Sequence, residues 1–426
     1  MEIRKGKTLR HIQGTINLSR EHMRAKTECD DAICLRASIA ISGDQLGKNI
    51  MNEVKETVCD FGNLYRAMRK CAKSVKWKDS VAGYVNNGLA NCLRLQKSLE
   101  SNTYKIDDYT LFTIYEPKKR EIVSTRMKDR VFQRSLCDNY LYENITKHFI
   151  RDNCACQVGK GTDFARDRLC ALLHDYYRKY GNKGYVLQCD LSNYFGSTPH
   201  AVGKSKVDER VSDKWVVGHV ANIIDTYKQG PDPEIGMGLG SQITQLIQLA
   251  VLDDIDHDIK ERKHIHHYVR YADDFILIHP DKDYLIQCHD DIQRQLSGMQ
   301  LTLSPKKTKL YPISQGINFL GFHFRLLETG KVLMTLNREN IADERRKLRR
   351  QRKLADKGIM TKKQCDECYQ SWKSHAENRN KKRPHKKANT HNLIIEMDKF
   401  YKELWRDYNV RLQIDPGAAD GGTPQE

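Results

Sequence analysis

The stretch YVRYADDFILIHP, residues 268–280, sets two adjacent acids between two short runs of aromatic and β-branched residues. Runs of that length and composition are strands, so Ala272-Asp273-Asp274 is predicted as the tight turn between them. One Asp suits a turn, because its side chain bonds nearby backbone N–H groups. Two side by side repel, and the repulsion calls for a cation. Asp190 is the best candidate for a third acid: it closes the apolar strand GYVLQCD, residues 184–190. A strand-end Asp beside a hairpin-tip pair gathers three carboxylates at one sheet edge, a costly cluster unless neutralised. Hard divalent ions that prefer oxygen, Mg²⁺ or Mn²⁺, resolve it, and two such ions are the usual clamp for phosphoryl transfer.

The chain of 426 residues carries 72 Lys and Arg against 55 Asp and Glu, a formal charge of +17, with 39% apolar residues. A core of that size excludes a disordered protein, and the basic excess points to a polyanionic partner, nucleic acid first and an acidic membrane surface second. No run approaches a membrane span, and the opening MEIRKGKTLRHIQG has no apolar segment of the kind a signal peptide needs. Thirteen scattered cysteines are expected as reduced thiols in the cytoplasm. Cys365 and Cys368 form the one CxxC, and His375 is thin support for a zinc site there.

Residues 1–100 read as largely helical, 110–125 as a hairpin, 128–150, 242–262 and 285–297 as helices, and LTLSPKKTKLYPI and INFLGFHFRLL as short strands. Alternating helices and paired strands indicate an α+β core. From 338 onward dense positive charge dominates, and the tail DPGAADGGTPQE is rich in Gly and Pro. LDDIDHDIKER, 252–262, could hold a second acidic cluster on Asp254, His257 and Asp258. A solvated helix end partnered by Lys260 and Arg262 is the plainer reading.

YADDF between strands resembles the palm signature of reverse transcriptases, and other blocks follow in that family's order from about 110 to 324. PKKREIVSTRMKDRVFQRSL resembles the fingers segment, and CACQVGKGTDFARDRL a Gly-Lys-Gly-Thr block of bacterial members tied to defence or diversity generation. LQCDLSNYFGS resembles the first palm motif, GMGLGSQITQ the Gly-rich turn entering the template-side helix, LTLSPKKTKL the later Lys-Thr motif and INFLGFHF the primer grip. SWKSHAEN resembles a worn thumb block.

The resemblance implies a right-hand polymerase: fingers over 101–184, palm over 185–324, helical thumb over 325–412, a helical extension over 1–100 and a mobile tail over 413–426. It implies that Asp190 and Asp273 bridge two metal ions, with the Leu191 carbonyl as a further ligand and Asp274 assisting. Phe195 stands at the steric gate that crowds a ribose 2′-hydroxyl. Lys118 and Arg120 would meet the triphosphate, Arg through its bidentate fork, and Lys307 is a candidate general acid for pyrophosphate. Leu239, Gly240 and Gln245 would lie at the nascent base pair, with Leu239 where many members have Gln and Gly240 permitting close backbone approach. Phe319, Leu320 and Gly321 would grip the primer. Lys160, Arg345, Arg349, Arg352, Lys381 and Lys382 would hold nucleic-acid phosphate.

The implied activity is RNA-directed DNA synthesis from dNTPs, copying an RNA template, a structured non-coding RNA, into cDNA, with a homo-oligomer or an accessory protein as a further partner. Antiphage defence and a mutagenic diversity-generating element are the two biological settings considered. A non-catalytic RNA-binding protein on a polymerase fold and a ribonucleotide polymerase are the alternatives of other kinds.

Overall fold

The structure, a computed structural model, describes residues 53–115, 120–227, 232–238, 240–377 and 388–408. Lys118, Leu239, Lys381 and Lys382, the first 52 residues and the tail from 413 lie outside them.

Residues 53–59 and the helices Phe61–Ala72, Asp79–Asn86 and Gly88–Glu100 open the described chain. Asp60 starts the helix Phe61–Ala72 by accepting from the Asn63 N–H at 2.8 Å, which satisfies one of the donors a helix start leaves open. Its inward stripe of Leu64, Ala67, Met68 and Ala72 has the three-and-four spacing of an amphipathic helix and belongs to the first hydrophobic core. The next elements are the hairpin β1 (Thr110–Ile114) and β2 (Arg120–Ser124), and then the helix Met127–Leu136, extended through a wider turn to Thr146.

Four strands form the central antiparallel sheet: β3 (Tyr185–Cys189), β4 (Tyr268–Tyr271), β5 (Asp274–His279) and β6 (Lys309–Pro312), in the order β4-β5-β3-β6. Alternate side chains leave opposite faces. Leu187, Cys189, Phe275 and Leu277 enter the first core, formed with the helices on one side. Val186, Val269, Ile276 and Ile278 enter a second core with the helix Thr162–Tyr180. Burial on both faces explains why FILI is continuously apolar rather than alternating, and each such side chain contributes roughly 1.5–3 kcal/mol.

β7 (Ile317–Phe319), β8 (Phe322–Leu326) and β9 (Val332–Leu336) form a third sheet that covers the second core. β9 was not foreseen from the sequence. The boundary expected at 324 falls inside β8, because the sheet is complete only at Leu336 and the helices begin at Arg338. The helices Arg338–Asp356, Lys362–Ala376 and His391–Trp405 pack around a third core, where Tyr369 and Tyr401 stack at 4.2 Å and Cys365 is buried. No helix among the described residues is long and apolar enough to cross a membrane.

Candidate active site

Tyr271 pairs with Asp274, so β4 and β5 are joined by the two-residue turn Ala272-Asp273. Two-residue hairpins need backbone of positive φ, and Ala272 supplies it at +56°. A Cβ-bearing residue resists that conformation. The turn is therefore braced: Arg270 Nη1 donates to the Ala272 carbonyl at 2.9 Å. The same guanidinium donates through Nε to Asp256 Oδ1 at 2.7 Å and through Nη2 to Asp256 Oδ2 at 2.5 Å and the Leu249 carbonyl at 3.0 Å. Tyr268 donates to Asp256 Oδ1 at 2.6 Å. Arg270 and Asp256 are both fully buried.

Cys189 pairs with Phe275. One residue further along the same register sets Asp190 across from Asp274, beside the Asp273 turn. The acids thus project where the sheet emerges from between its two cores. Lys307 Nζ lies 2.6 Å from Asp190 Oδ1, which separates it from its neighbours Lys306 and Lys309. Gln188, on the same face as Asp190, donates to Asp274 Oδ1 at 3.3 Å and to the Asn318 carbonyl at 2.9 Å, tying the acids to β7. Leu191 is buried and bridges Leu303. The two bonds of that bridge run from Ser304 N to Asp190 O and from Ser192 N to Thr302 O, so the Leu191 carbonyl takes no part in it.

Burial, with the carboxylates of Asp190 and Asp273 adding to it, pushes the Asp274 carboxyl up to about 7. At neutral pH that carboxyl is therefore partly protonated. The three acids at this edge offer carboxylate oxygens, the donors that hard divalent ions choose. The carboxylates are not closed around one point: among the described residues no three His, Cys, Asp or Glu side chains form a metal-sized cluster. The Lys307 ammonium and the Gln188 amide hold Asp190 and Asp274 instead. The donor chemistry fits the ions, and Lys307 would compete with them for Asp190 Oδ1.

That raised carboxyl has a measurable consequence. An acid whose folded value lies above its unfolded value of 3.8 loses stability for the fold as pH rises from there through about 7. Cations that displace the proton should bind more tightly over the same window. The rise in melting temperature on adding Mn²⁺ or Mg²⁺ is expected to be larger at about pH 8 than at about pH 6, and small and flat in Asp274→Asn. Equal shifts at both pH values in the wild type would contradict it.

Phe195 sits in the short helix Tyr194–Ser197, partly buried, its ring edge-on to Tyr194 at 5.9 Å. Its carbonyl accepts from Met237 N at 2.6 Å. Arg120 begins β2, paired with Ile114. Gln245 is partly buried, with Oε1 3.8 Å from Cys156 Sγ. Phe319 is buried in the second core, while Leu320 and Gly321 form the β7–β8 turn with φ of +47° and +86°.

Several expectations change. Gly240 does permit close approach, but to protein: a Cβ there would lie 2.8 Å from the Val123 carbonyl of β2. Lys160 donates to the carbonyls of Ile150, Arg151 and Asn153, so its ammonium ties down a loop instead of reaching phosphate. Arg352 is buried, donating to Asp356 and the Leu404 carbonyl and lying over Trp405 and Tyr408. It holds helices together. Arg345 and Arg349 lie over the Phe400 ring at 5.7 and 5.2 Å, and Arg349 is exposed. The 252–262 segment is a solvated helix end only in part: Asp254, Glu261 and Arg262 are exposed and Arg262 pairs with Asp258 as expected, but the other acids turn inward. Asp253, Asp256 and Asp258 are buried, each with its own cation: Arg210, Arg270, and Arg262 with Lys263. Lys260 pairs with Asp152 instead. Sequence reading missed Gln188 and the Arg270–Asp256 brace. The signals were a Gln two places before Asp190 and a lone Arg inside an apolar strand.

Residues 116–324 match the reverse transcriptase (RNA-dependent DNA polymerase) family. They are a reverse transcriptase domain. The enzyme class that defines this domain is RNA-directed DNA polymerase, and its members generally use divalent metal ions. The fold is the α+β right-hand polymerase type. No curated protein matches the chain. Among solved structures, apo telomerase of Candida tropicalis truncated of its C-terminal domain is 13% identical over 58% of this chain and 60% of that one, with a TM-score of 0.41. Telomerase of Candida albicans in complex with a TWJ fragment of telomeric RNA is 12% identical over 60% and 50%, with a TM-score of 0.40. The chain thus spans about half to three-fifths of those telomerases.

Proposed function

We propose that the protein is an active RNA-directed DNA polymerase that copies an RNA template into cDNA at the edge formed by β3 and the β4–β5 turn. One observation carries this: within a reverse transcriptase domain, Asp190, Asp273 and Asp274 share one sheet edge, where the charges of the first two help hold the Asp274 carboxyl above its usual range. Asp190 and Asp273 would hold two divalent ions, Mg²⁺ foremost, with Asp274 assisting. When bound, such ions acidify the primer 3′-hydroxyl and steady the departing pyrophosphate. Lys307, released from Asp190, would then carry a proton to the pyrophosphate.

In this reading β1, β2 and the helices to Tyr180 act as fingers, the central sheet as palm, and the three helices from Arg338 as a thumb. The exposed cations of the thumb, Arg349 among them, would grip duplex phosphate. The Leu320-Gly321 turn offers backbone to the primer.

Purified protein should extend an annealed DNA primer on an RNA template with dNTPs and a divalent cation. Phe195→Ala should raise incorporation of ribonucleotides relative to deoxynucleotides by roughly tenfold or more, since removing a ring relieves a clash that a 2′-hydroxyl alone would meet. Preference for ribonucleotides in the wild type would overturn the assignment. Phage defence and diversity generation share this chemistry and part at the template, so sequencing the RNA that copurifies with the protein separates them.

A further inference from the structure

Between Phe61 and Lys78 the sequence has six cations and no acid: Arg66, Arg69, Lys70, Lys73, Lys76 and Lys78. The helix Phe61–Ala72 buries its other face, and all six cations are exposed. A solvated basic helix normally alternates with acids that offset its self-repulsion. Here Lys70 pairs with Asp138 at 2.8 Å, and Asp138 is shared with Arg134. Arg69, Lys73 and Lys76 have no carboxylate within ion-pair distance among the described residues. They line a surface cleft of about 680 Å³ together with Tyr65. Next in sequence to Lys76 stands Trp77, 76% exposed, with the Lys78 ammonium 5.4 Å from its ring.

A bare indole among unpaired cations is hard to explain as scaffold, because Trp is ordinarily mostly buried. Grooves for single-stranded nucleic acid combine these two parts, cations that track phosphates and an aromatic face on which a base stacks. A duplex keeps its bases stacked internally and would leave the indole unused. An acidic membrane surface would engage the cations, but a lone indole between lysines supplies little apolar surface to insert.

We infer that this face of the N-terminal helices is a binding surface for single-stranded RNA, separate from the polymerase edge, with Trp77 as the stacking platform and Arg69, Lys73 and Lys76 as phosphate contacts. It precedes residue 116, where the reverse transcriptase match begins, and it stands whether or not the carboxylate edge is active.

The test uses the full chain and a fluorescein-labelled single-stranded RNA of mixed sequence, its anisotropy followed across a salt series. Excess unlabelled primer–template duplex occupies the polymerase cleft throughout. Arg69→Gln/Lys73→Gln/Lys76→Gln should weaken binding at least tenfold and lower the slope of log K against log salt by about 2, since each single-strand phosphate contact contributes about 0.7. Trp77→Ala should weaken binding by a similar factor and leave the slope unchanged, because stacking releases no counterions. Extension of a pre-annealed short primer–template should be unaltered in both. Unchanged RNA affinity in both variants overturns the proposal. So does a loss confined to vesicles containing phosphatidylserine, or to an acidic polypeptide, either of which would assign the patch to another partner. A wild type that binds this RNA yet never extends a primer sinks the polymerase reading alone.

Discussion

Asp273→Asn is expected to cut primer extension by roughly 10³-fold or more, because the two-ion clamp it would bridge supplies several kcal/mol of charge stabilisation, and about 1.4 kcal/mol is a factor of ten in rate. The substitution keeps the side chain's shape at the β4–β5 turn and removes one of the two carboxylate charges that raise the Asp274 carboxyl. Stability should therefore hold or rise slightly, and RNA affinity, which rests on cations elsewhere, should change by less than about twofold. This combination separates the catalytic reading from a binding protein on a retired polymerase fold. Activity within tenfold of wild type would remove Asp273 from the chemistry. Cellular function that survives the substitution would favour the binding role.

The second large effect concerns residues that touch no substrate. Arg270→Met should destabilise the protein by about 3–5 kcal/mol, since it strands the fully buried Asp256 carboxylate without its partner. Replacing the pair together, Asp256→Leu with Arg270→Met, should recover most of that loss, because a buried ion pair gains little over well-packed apolar groups. Activity should not recover with it. The Ala272 carbonyl would still lack its Nη1 donor, and a turn held at positive φ would drift from the geometry that aims Asp273. A drop in kcat of roughly 10- to 100-fold is expected in the double variant, with a raised cation requirement and a nearly unchanged KM for dNTP. A double variant that is folded and fully active would show that Arg270 serves the core alone.

Much of the polymerase edge was readable along the chain. YADDF announces a hairpin because apolar β-branched runs and a short polar break leave few other conformations, and GYVLQCD announces a strand ending on an acid for the same reason. The helices after 242 and 285 and those before 100 follow from their period. Less could be read where a residue's role depends on what it meets. Lys160 and Arg352 look on paper like any other solvent-facing cation, yet one is spent on three carbonyls and the other lies over two aromatic rings. The acids at 253 and 256 read as part of a hydrophilic helix end because their cations, Arg210 and Arg270, come from outside the segment, whereas Arg262 beside Asp258 was legible from the spacing. β9 escaped notice because VLMTL is short, and its partner strand is what makes it a strand.

Local preference, carried by each residue's own shape and polarity, settled most of the helices and strands, β9 apart, and with them where the β4–β5 turn falls and which acids stand at the strand ends. Distance in space settled the rest: that residue 190 faces residue 274, that Lys307 and not its neighbours reaches Asp190, and that Arg270 turns inward to brace the loop. Charge and hydrogen bonding act over a few ångströms, and only folding brings residues scores of positions apart within that range.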